Sequence, residues 1–450
     1  MNYQTFTLRN FRDIPQLKSF TEGELFDIEV VGNILPFKTN NYIIDELIDW
    51  DNYADDPMFC LNFPQRDMLS PEHFEAIAEL IRSGADKGEI SKKANEIRAD
   101  LNPHPAGQLE YNVPEYQGEI LQGAQHKYRE TILFFPKQGQ TCHAYCTFCF
   151  RWPQFTGLSD LKFATKQTDH LVGYLREHPE ITDLLITGGD PMVMNAKNFS
   201  VYIDALLEAD LPHLKNIRIG TKTLAFWPYR YVTDPDADDM LNVFRKIVDH
   251  GMHLAFMAHV SHPVELSTDV VKKAIANIRA TGAQIRTQSP IMNHINADPH
   301  VWSDMWTKQV QLGMVPYYMF IARDTGAKDY FSIPLVDTWK IFRQAYTEVS
   351  GICRTVRGPS MSANPGKVQI VGVSEINGEK VFVLNFLQAR KKEWVGHPFF
   401  AAYDEHAEWL SDLRPAFGES EFFYTAEFRK MLNINDDSMG IFAEELRKCY

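Results

Sequence analysis

From Thr131 to Arg323 the chain alternates short β-branched and aromatic runs with longer amphipathic stretches, and this alternation limits its fold more than any other feature. The runs TILFFPK, DLLITGG, NIRIGTK, HLAFMAHV, QIRTQSPIM and VPYYMFIAR have the length and composition of strands. Between them, AKNFSVYIDALLEA, DADDMLNVFRKIVDHG, PVELSTDVVKKAIANIRATG and DPHVWSDMWTKQVQLG carry apolar residues at helical spacing. Strands separated by whole helices do not pair as hairpins. They predict a parallel sheet of six βα units, an α/β fold of partial (β/α)6 TIM-type barrel form. In such folds chemistry sits at the C-terminal ends of the strands, and the polar and Gly-rich residues of this chain collect there.

The flanks read differently. Residues 1–125 are expected to be mainly helical, with SPEHFEAIAELIRSG opening on a Ser cap. The loop LNPHPAGQLEYNVPEYQG leads into the barrel unit, 126–350. Residues 351–450 are expected to form an α+β appendage, in which KVQIVGVSEINGEKVFVLNF turns back on itself at Asn377-Gly378 as a hairpin. A formal net charge of -14 argues against a nucleic-acid footprint, which needs concentrated Lys and Arg, and points to a small-molecule partner. The start, MNYQTFTLRNFRDIPQL, has no apolar signal-like run and no long apolar stretch follows. No membrane partner is expected, and a cytoplasmic setting with reduced thiols is.

Of six cysteines, Cys142, Cys146 and Cys149 fall within eight residues, in TCHAYCTFCFRWPQF. Three thiolates on one loop can hold three irons of a [4Fe-4S] cluster and leave the fourth iron open to another ligand. A zinc site is the alternative, with His143 as the nearest fourth ligand. Cys60, Cys353 and Cys449 stand alone and read as isolated thiols.

The C-x-x-x-C-x-x-C spacing just after the first strand resembles the radical S-adenosylmethionine superfamily. Further stretches resemble the amino-acid 2,3-aminomutase family, which includes lysine 2,3-aminomutase. The resemblance implies that S-adenosylmethionine chelates the open iron and is cleaved by an electron from the cluster to a 5'-deoxyadenosyl radical. It assigns S-adenosylmethionine contacts to Gly188, Gly189 and Asp190 in LLITGGDP, to His259 in MAHVSHP (with His262 nearby), and to Gln288 and Ser289 in RTQSPIM. Arg151 matches the arginine that grips the substrate carboxylate. Lys367, in MSANPGKVQI, matches the lysine that carries pyridoxal 5'-phosphate as an aldimine, and Lys127, Tyr128 and Arg129 lie where phosphate-holding residues are expected. The implied reaction moves an amino group from the α to the β carbon of an amino acid, making the chain an isomerase. A cellular electron donor and self-association are implied as well.

Taken without the family, each of these residues has a plainer reading. Gly-Gly-Asp is a tight strand-to-helix turn, Pro-Gly-Lys an ordinary turn, and Arg151 half of an ion pair. The chain also departs from the lysine-specific pattern. Arg323 and Asp324 occupy the region of one aspartate that holds the distal ammonium, and Ser360 replaces the other. Thr131 stands where a phosphate-binding arginine is expected, and Phe148 where a histidine precedes the third cysteine. These changes point away from lysine and towards an acidic substrate such as glutamate or aspartate. They leave open a radical enzyme of the same fold without pyridoxal phosphate, or a non-catalytic iron-sulfur protein.

Overall fold

A computed structural model describes residues 1–102, 112–157, 164–165 and 168–432. Residues 103–111 of the expected connecting loop, and Cys449, lie outside the described residues. Two short ribbons, β1 (Thr5–Thr7) with β2 (Lys38–Asn40) and β3 (Glu115–Tyr116) with β4 (Glu119–Ile120), stand apart from one large sheet. That sheet has eleven strands: β5 (Ala124–Tyr128), β6 (Thr131–Phe134), β7 (Asp183–Ile186), β8 (Asn216–Thr221), β9 (His253–His259), β10 (Gln284–Ile291), β11 (Val315–Ile321), β12 (Arg357–Ser362), β13 (Gly366–Ile376), β14 (Glu379–Ala389) and β15 (Phe399–Ala402).

Strand order follows the sequence from β5 to β15. β6 to β12 run parallel, so the six expected strands are joined by a seventh, while β5 and β13–β15 pair antiparallel at the two ends. β12, with the sequence RGPSMS, carries a Gly-Pro pair that reads locally as a turn, and parallel pairing to β11 overrides that signal. The hairpin at Asn377-Gly378 is present, with both residues at positive φ, 53° and 81°.

Helices lie between the parallel strands, among them Ala196–Glu208, Ala237–Asp249, Asp269–Arg279 and Pro299–Gln311. Three of these four start on a side-chain cap, from Asn195, Thr268 and Asp298; Thr268 Oγ1, for instance, accepts from the Val271 amide. Their buried stripes pack on one face of the sheet, as with Val271, Ala274, Ile275 and Ile278. In β8 the alternation sends Ile217 and Ile219 into that layer and Arg218 and Gly220 to the opposite face.

The opposite face is concave. The sheet curls so far that Lys127 Nζ on β5 donates to the carbonyl of Ala363, just past β12. Arg390, just past β14, likewise reaches Asn112 Oδ1 at 2.7 Å. The N-terminal helices, including Glu22–Ile34 and Pro71–Arg82, form a second core that takes in Ala144 and Trp152 and packs against Cys146 and Cys149. No described helix is long and apolar enough to cross a membrane.

Candidate active site

The concave face encloses a cavity of about 320 Å³ at the C-terminal ends of the parallel strands. Successive strands present residues two apart to it: Arg218 and Gly220, Met257 and His259, Gln288 and Pro290, Tyr318 and Phe320. All three clustered cysteines line it, together with Gly188, Gly189, Asp190, Arg151, Arg323 and Lys367. Residues more than 200 positions apart thus share one chamber.

The cysteine loop is gripped from two sides. From the N-terminal region, Lys38 O accepts from the Tyr145 amide at 2.8 Å and Leu61 O from the Thr147 amide at 3.0 Å. Lys38 Nζ donates to Cys142 O at 2.6 Å, and Tyr3 Oη to His143 O at 2.8 Å. From the sheet, the Asp190 amide donates to Thr141 O at 2.7 Å. Gly189 lies so close that a Cβ would fall 2.5 Å from the Thr141 carbonyl oxygen. At Gly188, with φ at 153°, a Cβ would meet the Gln140 amide at 2.3 Å.

Asp190 lines the cavity, yet its carboxylate is fully engaged in the scaffold. It accepts from Thr221 Oγ1 at 2.7 Å and from the amides of Met192, Lys222 and Thr223 at 3.0, 2.8 and 3.0 Å. Through these bonds the carboxylate braces the end of β7 against the end of β8.

Burial pushes the Cys149 thiol up to about 11 and those of Cys142 and Cys146 higher still. Bare thiols here hold their protons, and a thiophilic metal would displace them. Among the described residues no three His, Cys, Asp or Glu side chains converge on a point that could hold a single metal ion. A [4Fe-4S] cluster takes each thiolate on a different iron, so three separated sulfurs at one cavity wall fit it better than they fit zinc. His143 is occupied, its Nδ1 bonded to Thr223 Oγ1 at 3.0 Å and its basicity lowered by burial to about 3.

Next to the cysteines, the His259 ring stacks on Phe148 at 5.9 Å. Burial, aided by Lys222, lowers its pKa to about 3, and its buried Nδ1 has no hydrogen-bond partner. That orphaned nitrogen and the space kept clear by Gly188 and Gly189 fit a polar ligand bound against the cluster. Gln288 faces the same space. Ser289 does not: strand alternation turns its Oγ away, and it donates to Pro290 O at 3.1 Å. His262 caps a short turn instead, its Nδ1 accepting from the Val264 amide.

Deeper in, the charge is positive. Burial draws the Arg151 guanidinium down to about 9, although Cys149 holds it up; its Nη1 is buried and unpaired, and its Cζ lies 4.1 Å from the Phe135 ring centroid. Arg323 stands over the other side of the loop, 4.7 Å from the Phe150 centroid, and burial lowers its pKa also. Lys367 donates to Gln388 Oε1 at 3.2 Å and lies 4.0 Å from the Tyr318 centroid; burial, then Arg218, Arg357 and Arg323, bring it to about 7. The other basic groups of the wall are neutralised: Arg218 by Asp183 at 2.8 Å and Lys222 by Glu265 at 2.6 Å.

The remaining expected residues divide. Asp324 leaves the cavity for a small separate crevice beside Lys328 and Glu408, because the residue after Arg323 points to the other side of the chain. Arg129 is exposed and paired with Glu130 at 3.5 Å, which corrects its expected part in the site. Lys127 and Tyr128 stand behind Arg323: burial drives Lys127 well below its ordinary pKa, with Arg390, Arg323 and Lys367 adding to the drop, and lifts Tyr128 to about 12. Thr131 donates to Asp183 Oδ2 at 3.0 Å. Sequence reasoning missed Arg218, Lys222, Arg390 and Lys38. Arg218 was detectable as a charge at an inward position of an otherwise apolar strand.

No protein-family profile matches the chain. It is 28% identical over 405 residues, 90% of its length and 95% of the other, to a protein of Aquifex aeolicus (strain VF5) provisionally named L-lysine 2,3-aminomutase. It is 24% identical over 443 residues, 98% of its length and 80% of the other, to the L-lysine 2,3-aminomutase of Bacillus subtilis (strain 168). To the glutamate 2,3-aminomutase of Clostridioides difficile (strain 630) it is 26% identical over 211 residues, 47% of each chain. Among solved structures, SuiB of Streptococcus suis bound to S-adenosylmethionine matches with a TM-score of 0.35 at 11% identity, covering 60% of this chain and 56% of that one, a likeness too distant to bear on chemistry. By the sequence matches that span most of its length, the chain is similar to the amino-acid 2,3-aminomutases.

Proposed function

We propose that the protein is a cytoplasmic amino-acid 2,3-aminomutase acting on an acidic α-amino acid, glutamate or aspartate in type, with a [4Fe-4S] cluster, S-adenosylmethionine and pyridoxal 5'-phosphate. The curled sheet is read as a partial TIM-type barrel of seven parallel strands, flanked by a helical region at 1–125 and an appendage at 351–450. When bound, the cluster and S-adenosylmethionine supply the hydrogen-abstracting radical, and pyridoxal phosphate supplies the conjugated carbonyl chemistry on which nitrogen can migrate.

The chain's own residues then have distinct tasks. Cys142, Cys146 and Cys149 hold the cluster, while Gly188, Gly189, His259 and Gln288 shape the space beside it. Lys367, with a pKa near 7, offers a neutral amine at physiological pH, as a lysine that condenses with a carbonyl must. The apolar rings of Phe148, Phe150 and Phe320 help exclude water from the same chamber.

The observation that carries the substrate class is the charge of the wall. Arg151 and Arg323 flank Phe150, and among the described residues that line the cavity neither is paired with a carboxylate, Asp324 acting on Arg323 from outside it; Asp190 is occupied. Two guanidiniums suit a substrate with two carboxylates, while a distal ammonium would meet like charge. The other reading, a radical enzyme without pyridoxal phosphate, draws on the exposure of Arg129 and the commitment of Thr131 to Asp183.

One experiment separates them. Anaerobically reconstituted and reduced protein is given S-adenosylmethionine and isotopically labelled amino acids, with and without pyridoxal phosphate. The expected result is 5'-deoxyadenosine and a β-amino acid from glutamate or aspartate, only with pyridoxal phosphate. No 5'-deoxyadenosine under any condition sinks the radical reading; equal β-amino acid from Lys367→Ala sinks the role of that lysine.

A further inference from the structure

Basic side chains from three different places in the chain act on the cysteines of the loop, Arg151 on both Cys149 and Cys142. Arg151 acts on Cys149 from within the loop, Lys222 acts on Cys146 from the end of β8, and Lys38 acts on Cys142 from β2. Arg151 also faces the substrate space, and Lys222 is paired with Glu265. Lys38 has no such second task. Its Nζ reaches Cys142 O at 2.6 Å and Thr141 Oγ1 at 3.5 Å, and lies 5.7 Å from the Tyr145 ring centroid. Among the described residues no carboxylate is paired with it; its electrostatic neighbours are Cys142 and His143, whose basicity it helps to lower.

An ammonium held in a partly buried place without a counter-ion is costly, and a neutral donor would serve the carbonyl equally well. The missing counter-charge is what three thiolates and a reduced cluster would supply. Reduction adds one electron to the cluster, and a fixed positive charge beside a ligand favours the more negative form.

We infer that Lys38 is a positioning residue that sets the reduction potential of the cluster: its ammonium, held at the Cys142 end of the loop, stabilises the reduced state. The inference rests on the proposed [4Fe-4S] site. It concerns a strand in the N-terminal region, outside the parallel sheet, that no motif singled out.

The test compares Lys38→Arg, Lys38→Gln and Lys38→Met with the wild type, each reconstituted anaerobically with iron and sulfide. Iron and sulfide per chain are measured, and the reduced fraction is read by electron paramagnetic resonance across a series of fixed redox poises. Arg keeps the charge, Gln keeps a donor for the Cys142 carbonyl without charge, and Met keeps neither. At the poise that half-reduces the wild type, the reduced-to-oxidised ratio is expected to fall about tenfold in Gln and Met, a shift of about 59 mV for a one-electron couple, and to stay within twofold in Arg. A wild-type ratio in Gln overturns the inference, as does a loss of iron in all three variants with no change of potential in the clusters that remain. A wild type that takes up no four-iron cluster sinks the proposed function itself, and the inference with it, and is distinguishable because the failure precedes any substitution.

Discussion

Lys367 shows how an enclosed side chain changes its chemistry. Burial and three neighbouring guanidiniums lower its pKa from 10.5 to about 7. Since the folded value lies below the free one, the neutral amine dominates above pH 7 and the ammonium below it. Capture of pyridoxal phosphate, followed by its absorbance above the free-aldehyde band, is expected to rise between pH 6 and 8 rather than near 10. Lys367→Ala is expected to show no such rise. Arg323 is the residue where the substrate charge can be tested. Replacing it by Ala removes a charged hydrogen-bonding partner worth about 1.5–3 kcal/mol, so kcat/KM for a dicarboxylic substrate is expected to fall roughly 10- to 100-fold. Activity on lysine that rises by the same factor in Arg323→Asp would support the electrostatic reading, and unchanged selectivity would refute it.

At the level of elements, the junction between the cysteine loop and the end of β7 is the tightest contact of the site. A methyl group at Gly189 would enter the Thr141 backbone, which cannot swing away as a side chain can. Gly189→Ala is expected to cost about 1–3 kcal/mol, lowering both the melting temperature and the iron bound per chain. Gly351→Ala, where nothing lies within 4 Å, is the matching control and should leave both unchanged. The strands carrying this junction were legible as short β-branched and aromatic runs, and the Asn377-Gly378 hairpin as a dipeptide, since both signals act over a few bonds. β12 was not, because RGPSMS becomes a strand only when β11 is there to pair with it.

Across the whole molecule, the cysteine loop is shared by two cores: the N-terminal helices and the parallel sheet both hydrogen-bond to it. A ligand bound only by the assembled loop stabilises both partners through one equilibrium. Amides of Tyr145 and Thr147, which donate to Lys38 and Leu61, are therefore expected to exchange hydrogen more slowly after cluster reconstitution, and amides at the end of β8 with them. Protection confined to the loop would show that the two cores respond independently.

Cysteine spacing, β-branched and aromatic runs and the order of the βα units are properties of neighbouring residues, so they can be read along the chain. The direction of Arg323 against Asp324, the engagement of Asp190 with Thr221, the exposure of Arg129 and the approach of Lys38 to Cys142 cannot. They depend on strand pairing, on the curl that brings Lys127 to Ala363, and on a contact between positions 104 residues apart. Local spacing can name the groups that bind a cluster. Only the folded sheet decides which charges remain unpaired in the chamber beside it, and through them which substrate the chamber favours.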